Sequence, residues 1–557
     1  MSCTESFPKL QKNIWLLAIL VGFTFGFFAP TVIYMSNIDE FWFDIYDLLP
    51  YFLKTFGILT LFAALIGEIF CLFSKKVCSV FLIILSILFY CAYIEGNFID
   101  ADYGRLTGDE IIWENYYWVD IYGFLALFAV IAILSFIWFK IRTEKFEKVV
   151  FAINICVLLL EIVTLLTTGF LSHGWQYKDE YVSSNKDLMR YSPDKNIDII
   201  VLDTFDLRIL EDMIKEDEEL VKTAFKDFTF YDNNVGRYTL TDYSIPQILT
   251  GEMYLNQCDY GEFINDAYSK SPLLMRLKEE GFEENMYTTV TLPQNEFAQT
   301  INNLYKVDYG IESWEPVSKV YTLVAFMYVP QFLQKYFYLD VDKLGDYKTV
   351  KRVNDSTEDI EEFESFCWDN TAFWNRLDEV TTDSEKPVFH FTHLKGTHAT
   401  RDVDRNLKSC DEQIDSVECG FGVLKIMNRY LRELRSQGVY DNSIIIIMAD
   451  HGSTMYDGKI HCPMLLIKGY DEHHDFNIDS SSISYESLQE FYQRLMDGRK
   501  STELIEPEDC REKRLIYYAD FEGAMHKFTK GAKFVEYSIP KDVHDIELIK
   551  ETGNFFE

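Results

Sequence analysis

The chain has 557 residues, 48% of them hydrophobic and 16% aromatic, with eleven cysteines and a formal net charge of -36. That length exceeds one ordinary domain, and the apolar content excludes a disordered chain. The acidity excludes a nucleic-acid binder, which needs basic faces, and the cysteine density excludes a disulfide-stapled miniprotein.

Five long apolar runs come first: Asn13–Met35, Tyr51–Phe73, Val77–Ile99, Val119–Phe139 and Val149–Leu171. Each holds about 20 residues, enough to cross a bilayer core, and unsatisfied backbone groups in lipid make helices of them. The first run is too long for a cleaved signal peptide, and more runs follow it. Lys9, Lys12, Lys75, Lys76, Lys140, Arg142, Lys145 and Lys148 flank one set of ends. Acids such as Asp39, Glu40, Asp100, Asp102 and Asp109 flank the other, with only Arg105 opposing. The positive-inside rule puts the N-terminus in the cytoplasm, and five spans then put everything after Leu171 outside the cell. Lys54 is expected to snorkel from a span end. Glu68 and Glu161 are expected to face the bundle with polar partners, a role in a lipid path being the alternative. Trp113, Tyr116, Tyr117 and Trp118 fit an interfacial aromatic belt.

The spans make residues 1–173 a transmembrane domain, and 174–196 is a polar linker without periodicity. Short apolar, β-rich runs follow at Ile197–Leu202, Val388–Phe391, Ser443–Met448 and Met464–Ile467. Between the second and third lies a helix over about Asp411–Gln437. Phe421, Leu424, Met427, Leu431 and Leu434 recur at helical spacing, and Gly438 is placed to end it. Strand, helix, strand with buried strands means a mostly parallel sheet covered on both faces. After about 505, Arg514–Ala519 and Ala532–Tyr537 read as strands of a small α+β subdomain over 506–557.

Ligands in such sheets bind at strand carboxyl ends. Asp203-Thr204 follows the first run, His393-Leu394-Lys395-Gly396-Thr397-His398 the second, and Asp450-His451-Gly452 the third. His461-Cys462-Pro463 precedes the fourth. Carboxylates with imidazoles at converging strand ends make a ligand set for Zn²⁺ or Mn²⁺. His393 and Lys395 also have plain readings, as a structural histidine and a solvated loop lysine. Asp206 and Asp242 read as supports of the site or as turn residues. A hydroxyl-rich segment, Gly236–Gly251, holds Thr239, Thr241 and Ser244. A hydroxyl there is a helix cap or, beside a divalent metal, a nucleophile. Cys410 and Cys419 are spaced to form a disulfide. Cys258, Cys367, Cys462 and Cys510 could also pair, without a connectivity readable from sequence.

This order of motifs resembles the alkaline phosphatase–sulfatase superfamily. Five spans before an external catalytic domain resemble its membrane-anchored lipoteichoic acid synthases and lipid A phosphoethanolamine transferases. The resemblance implies an α/β/α sandwich over 197–505, with residue motifs within Ile197–Lys468. Thr241 is singled out twice. It stands five residues before Pro246 in a Thr-x-x-Ser-x-Pro pattern like that of phosphoethanolamine transferases. It also stands ten residues before Gly251, the spacing between a sulfatase nucleophile and its Leu-Thr-Gly. The Cys/Ser-x-Pro-x-Arg signature that sulfatases convert to formylglycine is missing, since Thr241-Asp242-Tyr243-Ser244-Ile245 stands in its place.

The resemblance implies that Asp203, Thr241, Asp450 and His451 hold one divalent cation, Zn or Mn, with a second zinc during turnover. Thr241 is then the nucleophile and His398 the group that protonates the leaving oxygen. His398, His461, Thr204 and Lys395 bind substrate. The expected activity is transfer of a phosphoglycerol or phosphoethanolamine head group from a membrane phospholipid to an envelope glycan or lipid, through a phospho-threonine. A hydrolase of the same fold and an inactive envelope protein are the alternatives.

Overall fold

The structure is a computed structural model that describes residues 7–38, 41–99, 103, 111, 113–140, 143–175, 180–290, 292–311, 313–339, 350–353, 366–408, 414–453, 462–520, 531–545 and 549–556. The chain divides into two compact units: Met1–Lys178 with Asp308–Arg352, and Asp179–Val307 with Val353–Glu557. The contiguous catalytic segment expected over 197–505 is thus interrupted by an insertion that joins the first unit. Its apolar residues pack on the first unit's helices, as described below.

Five helices of the first unit are long and apolar enough to cross a membrane: Lys9–Ser36, Ile45–Phe73, Lys75–Phe98, Trp113–Trp138 and Glu147–Leu171. The first opens into a π-helical turn at Thr24–Phe28. Two local causes meet there. Pro30 has no N–H to offer the carbonyl of Gly26 four residues back, and Thr24 Oγ1 donates to Glu161 Oε1 at 2.6 Å. Glu161 is buried, facing the bundle with Thr24 as its polar partner. Glu68 accepts from Gln11 Nε2 at 3.0 Å and Trp15 Nε1 at 2.8 Å.

The second unit is built on a seven-stranded sheet. In chain order its strands are β1 Asn196–Leu202, β2 Thr229–Tyr231, β3 Glu283–Tyr287, β4 Val388–Leu394, β5 Ser443–Met448, β6 Leu465–Lys468 and β7 Asn477–Asp479. In space they run β7-β2-β6-β5-β1-β4-β3. β1 lies parallel to both β4 and β5, and β3 parallel to β4. β6 runs antiparallel to β5 and β2. Every β1 residue is buried, and its side chains divide with period two. Ile200 and Leu202 join the core with Leu424, Met427 and Leu431. Ile197, Ile199 and Val201 join the other, with Ile245, Ile248 and Leu249. The sheet is therefore covered on both faces, as its apolar strands require. The helix Ser416–Ser436 supplies much of the first cover. Asp415 caps it through Val417 N and Glu418 N, and Gly438 at φ +76 follows its end.

Among the described residues the tail is an antiparallel sheet of Arg514–Ala519, Phe534–Ile539 and Lys550–Phe556. It is not a detached module. Ile516 and Ile539 enter one core of the second unit and Tyr517 and Phe534 the other. Arg514 is fully buried and donates to the carbonyls of Asn233, Ile483, Pro540 and Lys541. Those bonds satisfy a charge that would otherwise be costly to bury.

β3 carries one acid inside. Glu284 is 4% exposed, and burial raises its carboxyl from the ordinary 4.5 to about 7, with Lys278 opposing. The folded state therefore holds this proton more tightly than the unfolded chain. Its stabilising contribution is complete below about pH 4.5 and is lost as pH rises through about 7, a difference of about 3 kcal/mol. Glu284→Gln is expected to remove that dependence. Urea unfolding of the catalytic unit should show the variant more stable than wild type at pH 8 and equal to it at pH 4.5.

Candidate metal and nucleophile site

Asp203 is the first residue beyond β1, where the chain turns sharply. Its amide donates to Leu394 O on β4 at 3.0 Å, and Thr397 N donates to Asp203 O at 3.0 Å. The turn depends on Gly396, at φ +57. A Cβ there would lie 2.6 Å from Leu202 C and 2.7 Å from Asp203 N and O. Thr204 takes a left-handed φ of 60, a strained conformation held by its bonds. Thr204 N donates to Asp450 Oδ1 at 3.2 Å, and Thr204 Oγ1 to Asp203 Oδ1 at 2.6 Å. Thr204, expected among the substrate contacts, gives its hydroxyl to a carboxylate and ties the two acids together.

β5 delivers Asp450 and His451. His451 Nδ1 is 2.8 Å from Gly452 O, which as a carbonyl must accept, so Nε2 is the ring nitrogen turned to the acids. It stands 3.5 Å from Asp450 Oδ2 and 3.9 Å from Asp203 Oδ1. Asp450 Oδ2 is buried without a hydrogen-bond partner among the described residues. One ligand atom from each of Asp203, Asp450 and His451 falls within 4.8 Å of the others. Two carboxylates and an imidazole, buried with an oxygen left over, fit a divalent cation of the zinc or manganese type.

Thr241 completes the group. It opens the helix Thr241–Thr250, whose N-cap is Leu240, without a side-chain cap. Thr241 is therefore not the cap, and its Oγ1 lies 3.4 Å from His451 Nε2. Gly251, at φ +77, ends this helix in the left-handed form.

The other expected residues are placed differently. His398 is half-buried, with Nδ1 against Ala399 O, and its charge helps hold Asp203 ionised. Lys395 Nζ stands 3.8 Å from Asp402 Oδ2, an ion pair rather than a solvated lysine. His461 lies outside the described residues, as does Cys410. The other half of that expected disulfide, Cys419, is a buried thiol near Gly396 O, and among the described residues Cys258, Cys367 and Cys510 form no disulfide. Cys419 and Cys462 are taken up by apolar packing.

Two residues left open by the sequence act as supports. His393 lies with Nε2 3.5 Å from Asp203 Oδ2 and Nδ1 3.1 Å from Cys367 Sγ, so it backs a metal ligand rather than merely filling the core. Burial disfavours its charged form, but the Cys367 sulfur and the Asp203 carboxylate outweigh burial and raise it well above the imidazole range. Burial alone would also raise Asp203. His393, 3.5 Å from its Oδ2, together with the charges of His451 and His398, instead holds it at about 2. The carboxylate is thus ionised at any physiological pH. Asp206, fully buried, caps the next helix and pairs with Arg208 Nε at 2.6 Å and Nη2 at 2.8 Å. Its Oδ2 also accepts from Ser453 N at 3.0 Å and Cys462 N at 3.4 Å.

The geometry makes a direct forecast. Asp450→Asn keeps the shape but removes the charge, and cation affinity should fall about a hundredfold or more. Calorimetric titration of metal-stripped protein with Zn²⁺ or Mn²⁺ checks it, and an unaltered affinity would contradict the ligand set.

The Sulfatase family model matches residues 195–490. A search of the curated proteins finds no significant match. Solved structures with a similar fold include a phosphonate monoester hydrolase from Silicibacter pomeroyi, 13% identical, covering 64% of this chain and 88% of its own, with a TM-score of 0.37. A protein of the alkaline phosphatase superfamily from Vibrio parahaemolyticus is 10% identical, covers 68% and 85%, and has a TM-score of 0.36. A 2-O glycosaminoglycan sulfatase is 10% identical, covers 62% and 81%, and has a TM-score of 0.38. These likenesses are distant, and the assignment rests on the sequence match. Matched over more than half of its length, the chain belongs to the sulfatase family, a metal-dependent superfamily of enzymes acting on sulfate or phosphate esters.

Proposed function

We propose that this enzyme is a membrane-anchored, extracytoplasmic phosphotransferase. It moves a phosphoglycerol or phosphoethanolamine head group from a membrane phospholipid to an envelope glycan or lipid hydroxyl. The observation that carries this reading is the Thr241 hydroxyl, 3.4 Å from His451 Nε2 at the edge of the Asp203–Asp450–His451 cluster. A threonine cannot be converted to formylglycine, so the sulfatase route to a nucleophile is closed. The five apolar helices of the same chain suit a donor that resides in a bilayer.

Asp203, Asp450 and His451 would hold the divalent cation, with Thr241 Oγ1 beside it. When bound, that ion lowers the pKa of the hydroxyl and neutralises charge developing on phosphate oxygens. The residues do the rest. Thr241 Oγ, its proton given up to solvent water, attacks phosphorus, the Oγ–P bond forms and the bond from phosphorus to the diacylglycerol oxygen breaks. His398 gives that oxygen a proton, so diacylglycerol leaves as an alcohol. The acceptor hydroxyl then attacks the phospho-threonine and passes its proton back to His398, releasing Thr241. Lys395 and His461 bind the phosphoryl group in this scheme. His393, pinned by Cys367, keeps Asp203 oriented and ionised.

Mass spectrometry of the Thr241 peptide after exposure to labelled phospholipid tests the reading. The expected result is a head-group adduct on Thr241 that chases off when acceptor is added. Release of the free head group at the same rate with and without a glycan acceptor would make the enzyme a phosphodiesterase. No adduct during active turnover would overturn the covalent route.

A further inference from the structure

Residues 308–352 fall within the catalytic unit's sequence, yet they pack with the apolar helices. Their main element is the helix Trp314–Tyr328, followed by the short turn Gln331–Gln334. Fifteen residues reach about 22 Å, too short to cross a hydrocarbon core of about 30 Å. The helix is nonetheless bonded to the spans. Tyr321 OH donates at 2.8 Å to Gly26 O, the carbonyl whose α-helical partner four residues on is Pro30, which has no N–H. Tyr328 stands edge-on to Phe25, with ring centres 5.3 Å apart, and lies 3.2 Å from Asn97 Nδ2. Its ring occupies the space a Cβ on Gly96 would need, 2.5 Å away. Gln331 Nε2 donates to Trp113 O at 3.3 Å and Phe332 N to Asp120 Oδ1 at 3.2 Å.

The span residues touched in this way lie toward the second end of spans one and three and the first end of span four. Trp314 likewise meets Tyr51, near the first end of span two. In a bundle that crosses back and forth, all of these ends share one side, the side on which span five ends at Leu171. The segment also keeps large apolar side chains outward. Trp314, Met327, Phe332 and Tyr336 are 49%, 36%, 48% and 72% exposed. This surface continues that of the spans, because Phe332 stacks on Phe124 of span four, itself 49% exposed. Aromatic rings on a short helix at the span ends suit the layer between head groups and acyl chains.

We infer that Trp314–Tyr336 is a second membrane-contacting element. In this inference its partner is phospholipid of the leaflet on the catalytic side, met through Trp314, Met327, Phe332 and Tyr336. The inference rests on the five helices being spans and is independent of the phosphotransfer reading.

Full-length protein in phospholipid nanodiscs, with p-benzoylphenylalanine replacing one residue at a time, provides the test. Irradiation followed by mass spectrometry reads lipid adducts at positions 314 and 332. Phe128, 67% exposed on span four, is the lipid-facing reference, and Leu220, 43% exposed in the catalytic unit, the aqueous one. Burying an aromatic ring in lipid corresponds to about a tenfold or greater preference, so adducts at 314 and 332 should exceed those at 220 about tenfold. Yields at the Leu220 level while Phe128 labels would overturn the inference, as would cross-linked dimers in place of lipid adducts. Absence of adducts at Phe128 as well would bring down the span reading, and this inference with it.

Discussion

Thr241→Ala is expected to lower kcat for head-group release about a thousandfold or more, in line with nucleophile removal in other two-step enzymes. The expectation follows from position. Thr241 is not held as a helix cap, and its hydroxyl lies beside the three buried ligands. Thr241→Ser keeps that hydroxyl on the same helix turn and should retain activity within about tenfold, which is about 1.4 kcal/mol in the barrier. Cation affinity should fall far less than activity in Thr241→Ala, because both carboxylates and His451 remain. Turnover of labelled phospholipid, normalised to bound metal, separates the two effects. Thr241→Ala turnover near the wild-type rate would remove the nucleophile from this account.

Gly396→Ala should be the most damaging small change away from the ligands themselves. Its Cβ would meet backbone atoms, Leu202 C and Asp203 N and O, at 2.6 to 2.7 Å. No side chain can swing aside to admit it. The left-handed φ of +57 adds strain that glycine avoids. Overpacking and backbone strain together should cost about 3 kcal/mol or more. The chain can escape only by moving Asp203, so cation affinity should fall along with stability. Chemical unfolding of metal-free protein reads the first effect, and titration with Zn²⁺ the second. An unchanged unfolding midpoint would mean the turn is looser than the structure shows.

The parts of the site legible in sequence are those that follow from one rule. Short apolar runs made buried strands, and chemistry gathers where parallel strands end. Asp203, Asp450 and His451 each follow such a run directly, and the structure brings them together. Thr241 was open between cap and nucleophile on its residues alone. The placement of Leu240 at the N-cap removes the first of these readings. Direction was not readable. Leu465–Lys468 looks like its neighbours as an apolar run, yet β6 is antiparallel. That direction explains why the residues before this strand, and not after it, lie at the end where the other strands finish. His393 stayed open because its partners are remote. Asp203 belongs to another strand, and Cys367 to a segment with no periodic pattern. The insertion was invisible for a related reason. The apolar positions of Trp314–Tyr328 would look the same whether they packed on the sheet or on the long apolar helices.

Asp206 has a broader consequence. One oxygen of this buried carboxylate receives the amides of both Ser453 and Cys462. Ser453, two residues beyond His451, and Cys462, three residues before β6, are thereby fastened to the same carboxylate, so Asp206→Asn should loosen both and weaken the cation site without removing any of the three residues that form it.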